Sequence, residues 1–290
     1  MSQCNSCSDS SCATRNRTEG ESDEQFQRRQ ALESRLCSIQ HKILVMSGKG
    51  GVGKSTTAVN LALALSLEGN KVGLLDVDLH GPSLPKMIGL ESSRPEMTEQ
   101  GIEPLQFGGI KLMSIGFLLE SKSDALIIRG PMKAGAIQQL LADVNWGALD
   151  YLIIDCPPGT GDEPLSAVQM LGEGAAAVLV TTPQDVALID VEKSITFCRQ
   201  LKLPVIGVVE NMSGFLCPHC GERSDIFKRG GGQRLAQQSD IPLLAEVPLD
   251  PRVVAAGDSG QPHILAYPDS ECSRALGDVA EAVMKHCEYE

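Results

Sequence analysis

Aromatic side chains are scarce in this chain, with one Trp, three Tyr and six Phe among 290 residues. Proteins that hold single-stranded nucleic acid stack its bases on such rings, so that class is disfavoured. Positive charge is also short: 25 Lys and Arg stand against 37 Asp and Glu, a net charge of −12. A general binder of nucleic acid or of anionic lipid needs a basic footprint, so the balance predicts neither partner. Long apolar runs are missing. Stretches such as Ala175–Val180 have the length of a strand, far below the roughly 18 residues a membrane-spanning helix requires. The chain is polar from Ser2 onward and lacks the apolar stretch of a secretory signal, which predicts a cytoplasmic protein. What remains is 42% hydrophobic, enough for a packed core and too apolar for a disordered chain.

Cysteine is present, but not at the density of a disulfide scaffold. Ten in 290 residues lie below the roughly 8–10% of stapled secreted domains, and a cytoplasm keeps thiols reduced. Cys4, Cys7 and Cys12 crowd the start, Cys217 and Cys220 form a CxxC pair, and Cys37, Cys156, Cys198, Cys272 and Cys287 are scattered. Clustered reduced thiols point to metal or redox chemistry. Cys156, Cys198 and Cys272 read instead as small apolar core residues.

Two regions differ in pattern. Residues 1–40 are rich in Ser, Gln, Arg and Glu and predict a flexible cysteine-bearing tail, then a helix from about Ser22 with Phe26, Leu32, Leu36 and Ile39 on one face. Residues 41–290 read as one α/β domain. Lys42–Met46, Val72–Asp76, Tyr151–Asp155, Ala177–Thr181 and Pro204–Val209 are near-continuous apolar strands, each followed by Gly/Pro/Asp punctuation and helical sequence. That alternation predicts a mostly parallel sheet with helices on both faces and ligands at the carboxyl ends of its strands.

The strongest motif is Gly48-Lys49-Gly50-Gly51-Val52-Gly53-Lys54-Ser55-Thr56, the GxxxxGK-Ser/Thr pattern between a strand and a helix that runs from Lys54 to Glu68. Glycines let successive backbone N–H groups turn inward around phosphate oxygens, and the helix N-terminus adds positive potential. Lys54 would neutralise the β- and γ-phosphates and Ser55 would ligate Mg²⁺. Lys49, directly after the first glycine, is either a solvated loop residue or a finger that reaches a partner subunit's phosphates.

With that second lysine, GKGGVGKST resembles the deviant Walker A loop of the ATPase group containing MinD, ParA, the nitrogenase iron protein and the Mrp/ApbC iron–sulfur carriers. The resemblance implies a P-loop NTPase fold and a nucleotide-sandwich homodimer. It further implies that Asp78 orients the attacking water, that Asp155 is the Walker B carboxylate at Mg²⁺, that Cys156–Asp162 form switch II and that Asn211 reads the adenine edge. Capping a strand end is the alternative role for Asp78, and occupying a plain turn the alternative for Asn211.

Cys217-Pro218-His219-Cys220 separates the branches of that group. Thiolates three residues apart in a tight turn face one metal centre, and one chain then supplies two of the four ligands that an iron–sulfur cluster or structural zinc wants. A dimer completes the set at its two-fold axis. The pair lies where the Mrp/ApbC carriers place their bridging CPxC. The likeness to them spans roughly residues 41–270 and includes Asp76–Ser83, Arg129-Gly130-Pro131 and Pro248–Pro251. It implies an ATP-dependent carrier that holds a 4Fe–4S cluster between two chains and delivers it to apo iron–sulfur proteins. The alternative is a MinD/ParA-like nucleotide switch with a structural zinc at the CxxC pair. Cys4, Cys7 and Cys12, with Cys37 as a distant fourth ligand, form a second metal-site candidate, whose spacing departs from the ferredoxin run.

Overall fold

A capping box starts the first helix, α1 (Asp23–Leu36). The Ser22 hydroxyl accepts from the Gln25 N–H at 3.2 Å, and Gln25 Oε1 accepts from the Ser22 N–H at 3.0 Å. The structure, a computed structural model, describes residues 17, 20–119, 130–172, 174–217 and 219–288. Cys4, Cys7, Cys12 and Arg129 lie outside the described residues. Leu32 and Leu36 of α1 are buried, while Phe26 is half-buried beside the guanidinium groups of Arg17 and Arg29, at 5.7 and 5.4 Å from its ring centre. Ile39, expected on the helix face, is instead the first residue of β1 (Ile39–Met46). The helix ends at its Cys37 cap, where the Ser38 hydroxyl donates to Arg35 O at 2.8 Å and turns the chain into the strand.

The chain continues through α2 (Lys54–Leu67), β2 (Val72–Asp76), α3 (Leu84–Met87) and four short strands, β3 (Glu96–Thr98), β4 (Gly101–Glu103), β5 (Leu105–Phe107) and β6 (Ile110–Ser114). Next come α4 (Gly130–Ala142), β7 (Leu149–Asp155), α5 (Asp162–Leu171), β8 (Ala175–Thr181), α6 (Asp185–Gln200) and β9 (Val205–Leu216). A two-residue β10 (Arg223–Ser224), α7 (Gly231–Ser239), β11 (Leu243–Leu249), α8 (Pro251–Asp258), α9 (His263–Ala266) and α10 (Glu271–Glu288) complete the order. The main sheet runs β10-β9-β8-β1-β7-β2-β6-β5, with β11 also on β9. Its pairs are parallel except β5 with β6 and β10 with β9. β9 runs past the expected end at Val209, because β11 pairs with it as far as Phe215; Asn211 therefore lies inside a strand.

Burial on both faces explains why the strands read as continuous apolar runs. Ile43 and Val45 point into a core shared with α2 and α10, whereas Leu44 and Met46 point into a second core with α1 and α4. Cys156 and Cys198 fill the second core, and Cys272 and Cys287 the first, as small apolar residues. No helix among the described residues is long and apolar enough to cross a membrane.

Candidate functional site

The glycine loop turns from the carboxyl end of β1 into α2. Gly53 caps α2 with φ +86°, and Gly51 has φ +78°, both in the left-handed region that glycine adopts without a Cβ penalty. A Cβ on Gly53 would stand 2.1 Å from Asn211 Nδ2, so a side chain there collides with the residue bracing the loop. Asn211 Nδ2 donates to Val52 O at 2.8 Å. The fourteen-residue α2 has no side-chain cap, which leaves its first backbone N–H groups aimed at the loop, as an anion site requires.

Three charges meet beneath this loop. Asp76 and Asp155 end β2 and β7 as register partners, and both are buried. Lys54 forms a buried ion pair with Asp155, and its Nζ lies 3.2 Å from Ser55 Oγ. Ser55 also hydrogen-bonds Asp155. The predicted Walker lysine, Mg²⁺ serine and Walker B carboxylate are thus brought together. Burial alone disfavours the Lys54 ammonium, but the charge and hydrogen bond of Asp155 overcome it and hold its pKa above the ordinary value. Burial and the neighbouring Asp155 charge push Asp76 up from its ordinary 3.8 to about 7. The acceptors of Asp76 are used: Asp78 N–H donates to Oδ1 at 3.0 Å and Ser114 Oγ to Oδ2 at 3.1 Å.

The other expected site residues divide. Asp78 sits at the mouth of the site, where its Oδ1 accepts from the N–H groups of His80 and Gly81 at 3.3 and 3.1 Å. In this state it caps its own loop. Gly159 of the expected switch II donates to Ser47 O at 2.8 Å, tying that loop to the start of the phosphate loop. Lys49 is half-buried; its carbonyl accepts from Ser47 Oγ at 3.0 Å, and its ammonium has no hydrogen-bond or ion-pair partner among the described residues.

Cys217 and Cys220 occupy the tip of the β9–β10 hairpin. Cys217 N–H donates to Glu222 O and Gly221 N–H to Cys217 O, both at 2.9 Å, which closes a tight turn. Backbone N–H groups of Cys220 and His219 and the Cys220 thiol hydrogen-bond Cys217 and hold its thiol below the ordinary range, so the turn favours a thiolate. Both sulfurs therefore lie on one side, and among the described residues no third His, Cys, Asp or Glu completes a metal-binding group. Cys37, expected as a fourth ligand to the N-terminal cysteines, is exposed and donates its thiol to Ser34 O at 3.2 Å.

Two buried acids escaped the sequence reading. Asp76 was visible as a carboxylate ending an apolar strand but received no role. Glu210, likewise at the end of the run Val205–Val209, accepts from Ser213 Oγ at 2.6 Å, from Gly230 N–H at 2.9 Å and from Gly232 N–H. An acid closing an apolar strand in an α/β sheet is the signal that could have found both.

A glycine loop leading into a helix, with its lysine held against a strand-end carboxylate, defines a P-loop nucleotide-binding protein. The ParA family description "NUBPL iron-transfer P-loop NTPase" matches residues 38–284. The chain belongs to this NUBPL iron-transfer P-loop NTPase family. It is 47% identical over 258 residues to an iron-sulfur cluster carrier protein of Methanocaldococcus jannaschii, covering 89% of this chain and 88% of that one. A cytosolic Fe-S cluster assembly factor NUBP2 of Gallus gallus is 48% identical over 259 residues, or 88% of this chain and 95% of the relative. Among solved structures, a nucleotide-binding protein of Archaeoglobus fulgidus in complex with ADP superposes with TM-score 0.73 at 42% identity, over 84% of this chain and 95% of that chain. The cell division ATPase MinD of Pyrococcus furiosus superposes with TM-score 0.62 at 26% identity, over 85% and 99% of the two chains.

Proposed function

We propose that this protein is an ATP-hydrolysing iron–sulfur cluster carrier of the cytosol, which holds a 4Fe–4S cluster between two copies of itself and passes it to apo iron–sulfur proteins. The observation that carries the reading is the hairpin tip, where two thiols face one way and the turn lowers the pKa of one of them. A cluster takes four thiolates, and a second copy supplies the missing two. Relatives named as cluster carrier and Fe-S assembly factor support it.

In this reading residues 48–56 cradle the phosphates, Lys54 leaves Asp155 for the β- and γ-oxygens, and Ser55 with Asp155 holds Mg²⁺. Asp78 trades its own loop's N–H groups for the attacking water. The Lys49 ammonium, which has no partner among the described residues, reaches the other subunit's nucleotide. An exposed apolar pair supports that encounter: Val186 and Ile189 are 68% and 55% exposed on α6. The same helix approaches the phosphate loop, since a Cβ on Gly48 would stand 2.3 Å from the Asp190 backbone. The apolar face of α10, including Leu276, Val279 and Val283, is buried in the core. α10 therefore offers a membrane no apolar face of the kind a MinD-like switch would use.

Anaerobic reconstitution with iron and sulfide tests the reading. About four irons per dimer, absent from Cys217→Ala/Cys220→Ala, are expected; iron that persists reports the set Cys4, Cys7, Cys12 and Cys37. Zinc without sulfide at the hairpin would make the pair structural and overturn the carrier reading. Asn211→Ala supplies a second check. If its amide reads adenine, the preference for ATP over GTP should fall by about tenfold, the scale of a bidentate base contact, in competition binding.

A further inference from the structure

Between Asn211, which touches the phosphate loop, and Cys217, at the hairpin tip, β9 is not regular. Asn211 pairs with Val247 and Phe215 with Leu249, so four residues of β9 span what two residues of β11 span. The excess is a bulge. Within it Met212 has φ +58° and Gly214 φ +74°, and a side chain with a Cβ rarely adopts the former unless its surroundings hold it there.

The surroundings do hold it. Ser213, fully buried inside the bulge, is gripped on both sides. Its hydroxyl donates to Glu210 Oε1 at 2.6 Å, and its carbonyl accepts from Arg223 Nη2 at 3.0 Å. Arg223 belongs to β10, the return strand of the cysteine hairpin. Glu210 is anchored in turn by the N–H groups of Gly230 and Gly232 at the start of α7. At the other end Asn211 spends its amide N–H on Val52 O of the phosphate loop at 2.8 Å. Hydrogen bonds from Asn211 to Val52 at one end, and from Ser213 to Glu210 and Arg223 to Ser213 at the other, are joined by the peptide link between Glu210 and Asn211, so one connected path runs from Val52 to Arg223.

We propose that the Met212–Gly214 bulge is the joint through which the phosphate loop and the cysteine hairpin sense one another, with Glu210 and Ser213 as its positioning residues. The inference rests on reading residues 48–56 as the nucleotide loop. A nucleotide that shifts Val52, or takes the Asn211 amide for its base, changes the contacts at one end of the bulge. The bulge is held by side chains from two different elements, Glu210 and Arg223, so a shift at either end alters its contacts. Differing contacts in the two states are what coupling requires.

Hydrogen exchange on the cluster-free, full-length chain tests this with and without Mg-ADP. The probes are the Cys217 and Gly221 amides, whose bonds to Glu222 O and Cys217 O close the turn. Their exchange is expected to change about fivefold or more on adding nucleotide, the lower end of ordinary coupling. Ser213→Ala removes the hydroxyl alone; it should keep nucleotide affinity within about twofold and lose the nucleotide-dependent difference. Met212→Gly, which relaxes the positive φ, is the second variant; it should speed hairpin exchange without nucleotide and shrink the difference. A wild-type hairpin indifferent to nucleotide, or a difference that survives in both variants, overturns the proposal. Because no iron is present, a failure of the cluster reading shows only in the reconstitution and is not confused with this result.

Discussion

Lys54→Ala is expected to abolish nucleotide binding and also to destabilise the nucleotide-free protein by about 3–5 kcal/mol, the cost of stranding a buried charge. The second effect follows from where the lysine rests. Lys54 is 7% exposed and Asp155 3%, with Asp76 buried beside them. Without the ammonium, two carboxylates face each other in a dry site. Lys54→Ala/Asp155→Asn separates the roles. If the stability loss is electrostatic, the double variant recovers most of it in urea unfolding, because the stranded charge is gone. Calorimetric titration with ATP should show no binding to either variant. A Lys54→Ala protein that unfolds like wild type would mean that Asp155 is already protonated or solvated, against the burial described.

Asp76→Asn is expected to stabilise the nucleotide-free protein above neutral pH and to flatten part of its pH dependence. The Asp76 carboxyl is raised from 3.8 to about 7 in the folded chain, so between those values the folded state binds the proton more tightly than the unfolded one. Its contribution is fully present below pH 3.8 and is lost as pH rises through about 7. Asparagine imitates the protonated form at every pH and keeps an acceptor for the Asp78 N–H. The wild-type-minus-variant difference in unfolding free energy should therefore grow between those limits and level off above them. A difference that is constant with pH would show that Asp76 titrates as an ordinary carboxylate.

The phosphate loop was legible because its chemistry is local: nine consecutive residues set both the turn and the donors. Of the five strands expected, β1, β2, β7 and β8 were legible within a few residues because burial on both faces makes each an apolar run, whereas β9 runs seven residues past its expected end. Ile39 was misplaced because an apolar residue three after Leu36 continues a helical stripe, and only the Cys37 cap ends it. β3, exposed along its length as Glu96-Met97-Thr98, has no apolar alternation to announce it. Asn211, expected just past a strand ending at Val209, lies in a bulged continuation of it, because the pairing partner lies more than thirty residues later in β11. The same distance hid Asp76 and Glu210. Their meaning depends on the register of β2 with β7 and on the start of α7, neither of which local sequence reveals.

The pairing of β9 also bears on how the cysteine hairpin is attached to the fold. Val205–Asn211 is already held between β8 and β11 before the hairpin begins, and the turn that carries Cys217 and Cys220 projects from the sheet's edge. In the carrier reading the grip on cargo is thus an addition at one edge of the sheet, and respacing it would disturb the Arg223 and Glu210 contacts that tie it to the buried Ser213.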